Sequence, residues 1–165
     1  MNRRRGASLV SLFVILVCSA QVSNATNFNQ SAKSNLKVAL TAYAKMMAPL
    51  ESQETALTNG YGAVTGSNYR SDAITLSAFL KLAPKFNSFI SKIESITPTD
   101  SRILSAHNLY IEGWNLQDEA LLLVISAIQN NDYAAMSQAN AKLAKGRADI
   151  RAFGAALKKL LSQVQ

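Results

Sequence analysis

Apolar side chains return at steps of three and four residues along most of this chain, and no other sequence feature constrains the fold more. Such steps align side chains on one face of an α-helix, which then packs against other elements. No segment alternates with the two-residue period of a strand. The sequence therefore predicts an all-α protein. The first segment carries the repeat at Leu36, Leu40, Tyr43, Met47, Leu50 and Leu57.

The repeat divides into four long segments separated by a few residues each. Short connections between long helices favour antiparallel neighbours. The predicted fold is therefore an antiparallel up-down-up-down four-helix bundle that forms a single domain over residues 26–165. The four helices are predicted at 32–58, 68–96, 98–130 and 132–163. The second is predicted to face inward with Tyr69, Ala73, Leu76, Leu80, Ala83, Phe86, Ile90 and Ile93.

Capping residues set the predicted ends of these helices. Asn59-Gly60 reads as the C-cap of the first helix, and Asn130-Asn131 ends the third. Thr97, followed by Pro98 and then Asp100, indicates an N-cap and capping box at the start of the third helix. Asp132 is the predicted N-cap of the fourth helix.

Two prolines fall inside the predicted helices. Pro49 lies in the first and Pro84 in the second, and each removes a backbone hydrogen bond. A bend is expected at both positions, most simply as a shared curvature that wraps the bundle.

Residues 1–25 have the layout of a secretory signal peptide. Three arginines at positions 3–5 precede an apolar run over residues 7–20, and small residues follow at Ser23 and Ala25. The run is too short to span a bilayer comfortably. We therefore expect cleavage after Ala25 and an extracytoplasmic location, either secreted or periplasmic.

Cys18 offers an alternative at the end of the apolar run. A cysteine in this place can accept lipid in a bacterial lipoprotein, which would anchor the protein to a membrane. Cys18 is also the only cysteine, so a cleaved chain would contain none. Disulfides, thiolate catalysis and zinc–cysteine sites are then excluded.

The charge balance argues against nucleic acid as a partner. The whole chain has seventeen basic and ten acidic residues, a formal net charge of +7. Loss of the three leader arginines would reduce this charge to +4. Such a mild excess does not favour nucleic-acid binding, which depends on many cations.

The only histidine, His107, lies on the inward stripe of the third helix. Tyr110, Trp114 and Gln117 follow it on the same face and define a candidate pocket. A buried histidine among such neighbours is most often a hydrogen-bonded core residue. The alternative is that His107 binds haem or a metal ion, in an electron carrier or sensor.

Two surface features of the later helices indicate partners. Arg147, Arg151 and Lys158 share a face of the fourth helix and form a candidate surface for an anionic partner, such as an envelope component or lipid headgroups. The alternative is that the basic residues of this helix pair with acidic residues of the third.

A run of five apolar residues lies near the end of the third helix. A bundle exterior needs only one apolar face, so this run is either enclosed by the bundle or forms a homo-oligomer interface. The run is Leu121, Leu122, Leu123, Val124 and Ile125.

Catalytic chemistry finds little support in these residues. One histidine allows one triad at most, and no acid lies three or four residues from His107 to orient its ring. We therefore predict an exported helical-bundle binding or structural module without enzymatic activity, resident metal or cofactor. It would act on a protein or envelope component through a surface or a small internal pocket.

Overall fold

The structure is a computed structural model that describes residues 27–165, with side chains from residue 30. The predicted leader and Cys18 therefore lie outside the described residues. Within 27–165 all regular structure is helical. The helices are α1 (Asn27–Met47), α2 (Glu51–Gly62), α3 (Asp72–Glu94), α4 (Ser101–Asn130) and α5 (Ala135–Ser162).

A 3-10 turn, Ala48–Leu50, joins α1 to α2 without leaving the right-handed helical region, so the two act as one long helix. The described chain thus forms four helices in all, and the prediction of an all-α fold with four helices is confirmed. None of these helices is long and apolar enough to cross a membrane.

Successive helices run in opposite directions, because their contacts ascend one helix while they descend the next. The pairs are Gln53–Lys92 and Gly60–Leu82 for α2 and α3, Phe89–Tyr110 and Phe86–Trp114 for α3 and α4, and Glu112–Lys145 and Glu119–Lys142 for α4 and α5. All three connections are short, as antiparallel neighbours require.

The backbones of α4 and α5 are in direct contact. A Cβ atom added at Gly146 would lie 2.6 Å from the carbonyl oxygen of Gly113, so the two backbones touch. Small buried residues follow Gly113 at seven-residue intervals, at Ala120 and Ala127. Ala139 lies seven residues before Gly146 on the facing helix. Their spacing keeps the seam between the helices narrow over several turns.

The inner stripe predicted for the first helix is confirmed, since all six of its residues are buried. The stripe predicted for the second helix is wrong in its first half. Leu80 is 49% exposed, and the core-facing residues are instead Phe79 and Leu82. Two apolar stripes lie side by side on the first half of α3, and the stripe that contains the Phe79 ring faces the core. Phe79 stacks on Tyr61 with ring centroids 5.1 Å apart.

Several of the predicted helix ends are also wrong, and the first two helices begin at Asn27 and Asp72 rather than at residues 32 and 68. The first helix continues through Asn59-Gly60 to Gly62, and Gly60 packs directly against Leu82 of α3. The N-cap of α4 is Asp100 rather than Thr97. Its Oδ1 atom accepts hydrogen bonds from the backbone N–H groups of Arg102, at 2.9 Å, and Ile103, at 3.4 Å.

The connection between α4 and α5 agrees in part with the sequence. Asn131 ends α4 in the left-handed region, with φ of 53°, which asparagine tolerates well. Asp132 does not cap α5, because this helix begins three residues later at Ala135. Its Oδ1 atom instead accepts a hydrogen bond of 3.2 Å from the N–H of Ala134 within the turn.

The two prolines affect their helices differently. At Pro49 the helix tightens into the 3-10 turn between α1 and α2, which relieves the lost hydrogen bond locally. At Pro84 helix α3 continues without a break. The ring of Pro84 is exposed, so its clash with the preceding turn falls on the solvent side.

The apolar run at 121–125 is largely enclosed by the chain itself. Leu121 and Ile125 are buried, and Leu123 and Val124 are half-buried. Only Leu122 within this run is mostly open to solvent, at 47% exposure. Enclosure therefore accounts for four of the five residues, while self-association stays a prediction.

The contact between α4 and α5 gives a first prediction. Gly146→Ala places a methyl group against the Gly113 carbonyl, so the helices must separate, and we expect a loss of about 1–3 kcal/mol in the free energy of unfolding. Gly62→Ala is the matched control, because nothing lies within 4 Å of its added Cβ. Urea denaturation followed by circular dichroism measures both. Equal stability of the two variants would contradict the close packing.

Candidate functional site

His107 lies in the core, where α1, α3 and α4 meet. Its Nδ1 atom is 2.9 Å from the Tyr43 hydroxyl, and its Nε2 atom is 2.9 Å from the carbonyl oxygen of Ile93. A carbonyl oxygen only accepts, so Nε2 carries the proton and donates it, while Nδ1 accepts from Tyr43. This neutral ring connects three helices, and neither nitrogen is left to bind a metal ion or haem iron.

Burial keeps this pair neutral. Removal from water lowers the pKa of His107, and the backbone carbonyls of Ile93 and Ile96 oppose that effect in part. Burial likewise raises the pKa of Tyr43 well above its ordinary value. The arrangement is typical of a structural histidine that fixes the orientation of its neighbours.

A buried carboxylate lies close to the same helix and was not expected from the sequence. Glu54 of α2 is only 5% exposed, and it raises the pKa of Tyr110 beyond the larger effect of burial. The Tyr110 hydroxyl and the Trp114 indole N–H are both buried, and neither makes a hydrogen bond of normal geometry in the described chain. Glu54 occupies the inner stripe between Leu50 and Leu57, so its spacing was the available signal.

Trp114 is held by edge-to-face aromatic contacts. Its ring centroid lies 4.8 Å from that of Phe89 and 5.5 Å from that of Phe86, both on α3. Tyr110, one turn earlier on α4, packs against Phe153 at 4.6 Å. The indole therefore forms a fixed wall within the bundle, and Trp114 is only 2% exposed.

On one side of Trp114 a cleft of about 210 Å³ opens between α2, α3, α4 and α5. Its walls combine aromatic rings with a few polar groups, and no acidic residue lines it. The aromatic residues are Tyr61, Phe86 and Trp114, and the polar side chains are those of Thr58, Thr65, Gln117 and Arg147.

The cleft divides the pocket predicted from the sequence. Trp114 and Gln117 line it, whereas His107 and Tyr110 belong to the core. Residues 107 and 117 lie about 15 Å apart along α4, so the two ends of the predicted pocket contact different neighbours. Arg147, predicted for a separate anionic surface, lines the cleft beside the two pocket residues.

The basic residues of α5 fall into two groups. Two lysines near its start pair with acidic residues: Lys142 with Glu119, and Lys145 with both Glu112 and Asp149. Pairing between α4 and α5 therefore holds for these lysines. Within residues 27–165, the predicted surface of Arg147, Arg151 and Lys158 forms no ion pair, and all three side chains are exposed.

The charge of Arg147 acts on the cleft itself. Burial raises the pKa of Tyr61, and the Arg147 guanidinium lowers it in opposition. The cation is therefore close enough to stabilise negative charge at the Tyr61 hydroxyl, on the wall of the cleft. An anion in this space would experience the same attraction.

Metal binding has little geometric support in the part of the chain that the structure describes. No three His, Cys, Asp or Glu side chains in residues 27–165 come together as a set of ligands. Comparisons with known protein families, curated proteins and solved structures found no match.

The buried histidine gives a second prediction. Its folded pKa is lowered beneath the unfolded value of about 6.5, so the unfolded chain binds the proton more readily. The stability it contributes is complete above about pH 6.5 and is lost as pH falls through the folded pKa.

Urea denaturation between about pH 7.5 and about pH 5.5 should therefore show a larger loss of stability in the native chain than in His107→Gln. Glutamine retains a donor and an acceptor but does not titrate. Parallel pH profiles for the two proteins would contradict the neutral, doubly hydrogen-bonded histidine.

Proposed function

We propose that this chain is an exported, non-enzymatic binding module, an up-down-up-down bundle that takes a small molecule into the cleft between α2, α3, α4 and α5. The observation that carries the proposal is the composition of that cleft. Aromatic rings form its walls and a small number of polar groups converge on it, which is the usual design of a ligand pocket.

The size of the cleft limits the ligand. A dry cavity of about 150 Å³ accommodates benzene, whereas drug-sized ligands occupy pockets of about 300–1,000 Å³. The cleft, at about 210 Å³, lies between these sizes. A single ring with a short substituent therefore matches the space.

The walls are held in place without a ligand. Trp114 is fixed by its contacts with Phe86 and Phe89, and Tyr61 is stacked on Phe79 with an interplanar angle of 18°. A pocket that is already ordered spends little binding free energy on arranging its side chains. Their rigidity favours a binding role.

The polar residues of the cleft favour binding over catalysis. Among the lining side chains no hydroxyl has a histidine or carboxylate beside it to act as a general base. The Thr65 hydroxyl donates to the backbone carbonyl of Tyr61 at 2.9 Å, so this hydrogen bond stabilises the loop that follows α2. The one histidine, His107, is enclosed in the core by Tyr43 and Ile93.

A fragment screen by two-dimensional NMR tests the binding role. We expect single-ring fragments to shift the backbone amide signals of cleft residues in the native chain and in Ser52→Trp, an exposed control on α2. Thr58→Trp should abolish these shifts, because its indole occupies the cleft. Shifts that persist in Thr58→Trp, or the absence of any shift at the cleft, would overturn the proposal.

Export rests on the N-terminal sequence. Expression of the whole chain in a secreting host should yield a protein whose intact mass lacks residues 1–25, since Ser23 and Ala25 suit signal peptidase. Cys18→Ser separates this route from lipidation, because it removes the lipid acceptor and leaves the cleavage site intact. Retention of the leader would contradict export, and a lipid-bearing Cys18 would favour the membrane-anchored alternative.

A further inference from the structure

We propose that the cleft selects a carboxylate, namely a single-ring organic acid whose carboxyl group pairs with Arg147 while its ring packs against Tyr61 beside Trp114. This inference rests on the proposed function, since it names the chemical class of the ligand for the same site. It follows from the charge of Arg147, from the composition of the lining and from the position of the rings.

The first step is the different use of the cations on α5. Lys142 and Lys145 are neutralised by acids of α4 and α5, whereas Arg147 forms no ion pair within the described chain. Arg147 instead lines the cleft, and its charge reaches the Tyr61 hydroxyl. The guanidinium of Arg147, which lines the cleft, is therefore not neutralised by an acidic residue of the described chain.

Side-chain chemistry then indicates which anion would pair with it. A guanidinium group presents two parallel N–H donors that match the two oxygens of a carboxylate, and such bidentate pairs are short and directional. Within the cleft, a bound ring would shield one side of that pair from water, which would strengthen it relative to a fully solvated pair. A neutral ligand of the same shape would gain neither effect.

The lining provides nothing that would compete for the cation. No aspartate or glutamate is among its residues, and the nearby buried acid, Glu54, does not line the cleft. A cationic ligand would therefore find no partner and would be repelled by Arg147. The electrostatics of the site thus favour acids over amides, and amides over amines.

The remaining wall defines the rest of the ligand. Tyr61 is the half-buried ring of this wall and the one that offers surface to an aromatic or planar body, whereas Phe86 and Trp114 are each 2% exposed and only close the inner end of the cleft. Gln117 makes only a long hydrogen bond of 3.5 Å to the carbonyl of Gly113, so its amide remains able to bond a polar substituent. Thr58 adds an exposed hydroxyl at the edge of the cleft.

The chain contains its own reporter for a test, since Trp114 is the only tryptophan and forms a wall of the cleft. The probes are three molecules of nearly equal size: phenylacetate, phenylacetamide and phenethylamine. Each is titrated against the whole chain while Trp114 fluorescence is recorded. We expect phenylacetate to bind at least about tenfold more tightly than phenylacetamide, and phenethylamine to bind most weakly.

Variants of the basic residues separate a site from a general charge effect. Arg147→Gln should bring the affinity for phenylacetate to within about twofold of that for the amide, and Arg147→Lys should retain part of the preference. Arg151→Gln, one turn further along α5 and outside the cleft, should leave it unchanged. Because these side chains are exposed, unchanged thermal unfolding of each variant verifies the fold.

The outcomes distinguish this inference from the function on which it rests. Equal binding of the acid and the amide in the native chain, or a preference that survives Arg147→Gln, would overturn carboxylate selection and leave the binding role standing. If none of the three probes perturbs Trp114 or the NMR signals of the cleft, both are overturned. Equal losses in the Arg147 and Arg151 variants would show a diffuse charge effect and also overturn the inference.

Discussion

Two glycine backbones in contact, at Gly113 of α4 and Gly146 of α5, set the geometry on which the rest of the structure depends. The contact requires both residues to lack a side chain, because a Cβ at either one would meet the carbonyl oxygen of the other at 2.6–2.8 Å. The next residues along each helix are Trp114 and Arg147. The crossing therefore places an aromatic wall and a cation at the same height of the bundle, beside one cleft.

The polar groups of the core complement this crossing. His107 connects α1, α3 and α4 through two hydrogen bonds, which the neutral ring satisfies when the three helices are in register. Such a network costs free energy whenever one partner is missing, so it disfavours sliding of the helices more than apolar contacts alone would. Tyr110 and Trp114 then continue along α4 toward the cleft.

Sequence periodicity predicted the all-helical fold and the inner face of the first helix, where steps of three and four residues selected the buried Leu40 and Met47 over the exposed Val38 and Met46. It failed where α3 offered two adjacent stripes, since only packing against Tyr61 selects Phe79 over Leu80. It also placed His107 and Gln117 in one pocket, although the helix rise separates them. Arg147 lines the cleft because of the height at which α5 crosses α4. No local sequence pattern encodes that height.

The chemistry of lysine and arginine fits the different surroundings of Lys142, Lys145 and Arg147 on α5. Lysine carries a compact, strongly hydrated charge on a flexible stem, which suits the solvent-exposed pairs that Lys142 and Lys145 make with Glu119 and Glu112. Arginine is less strongly hydrated and planar, so it can lie against an aromatic wall and keep its donors directed at a ligand. The residue that follows the glycine contact is an arginine, at a place where α5 borders the cleft.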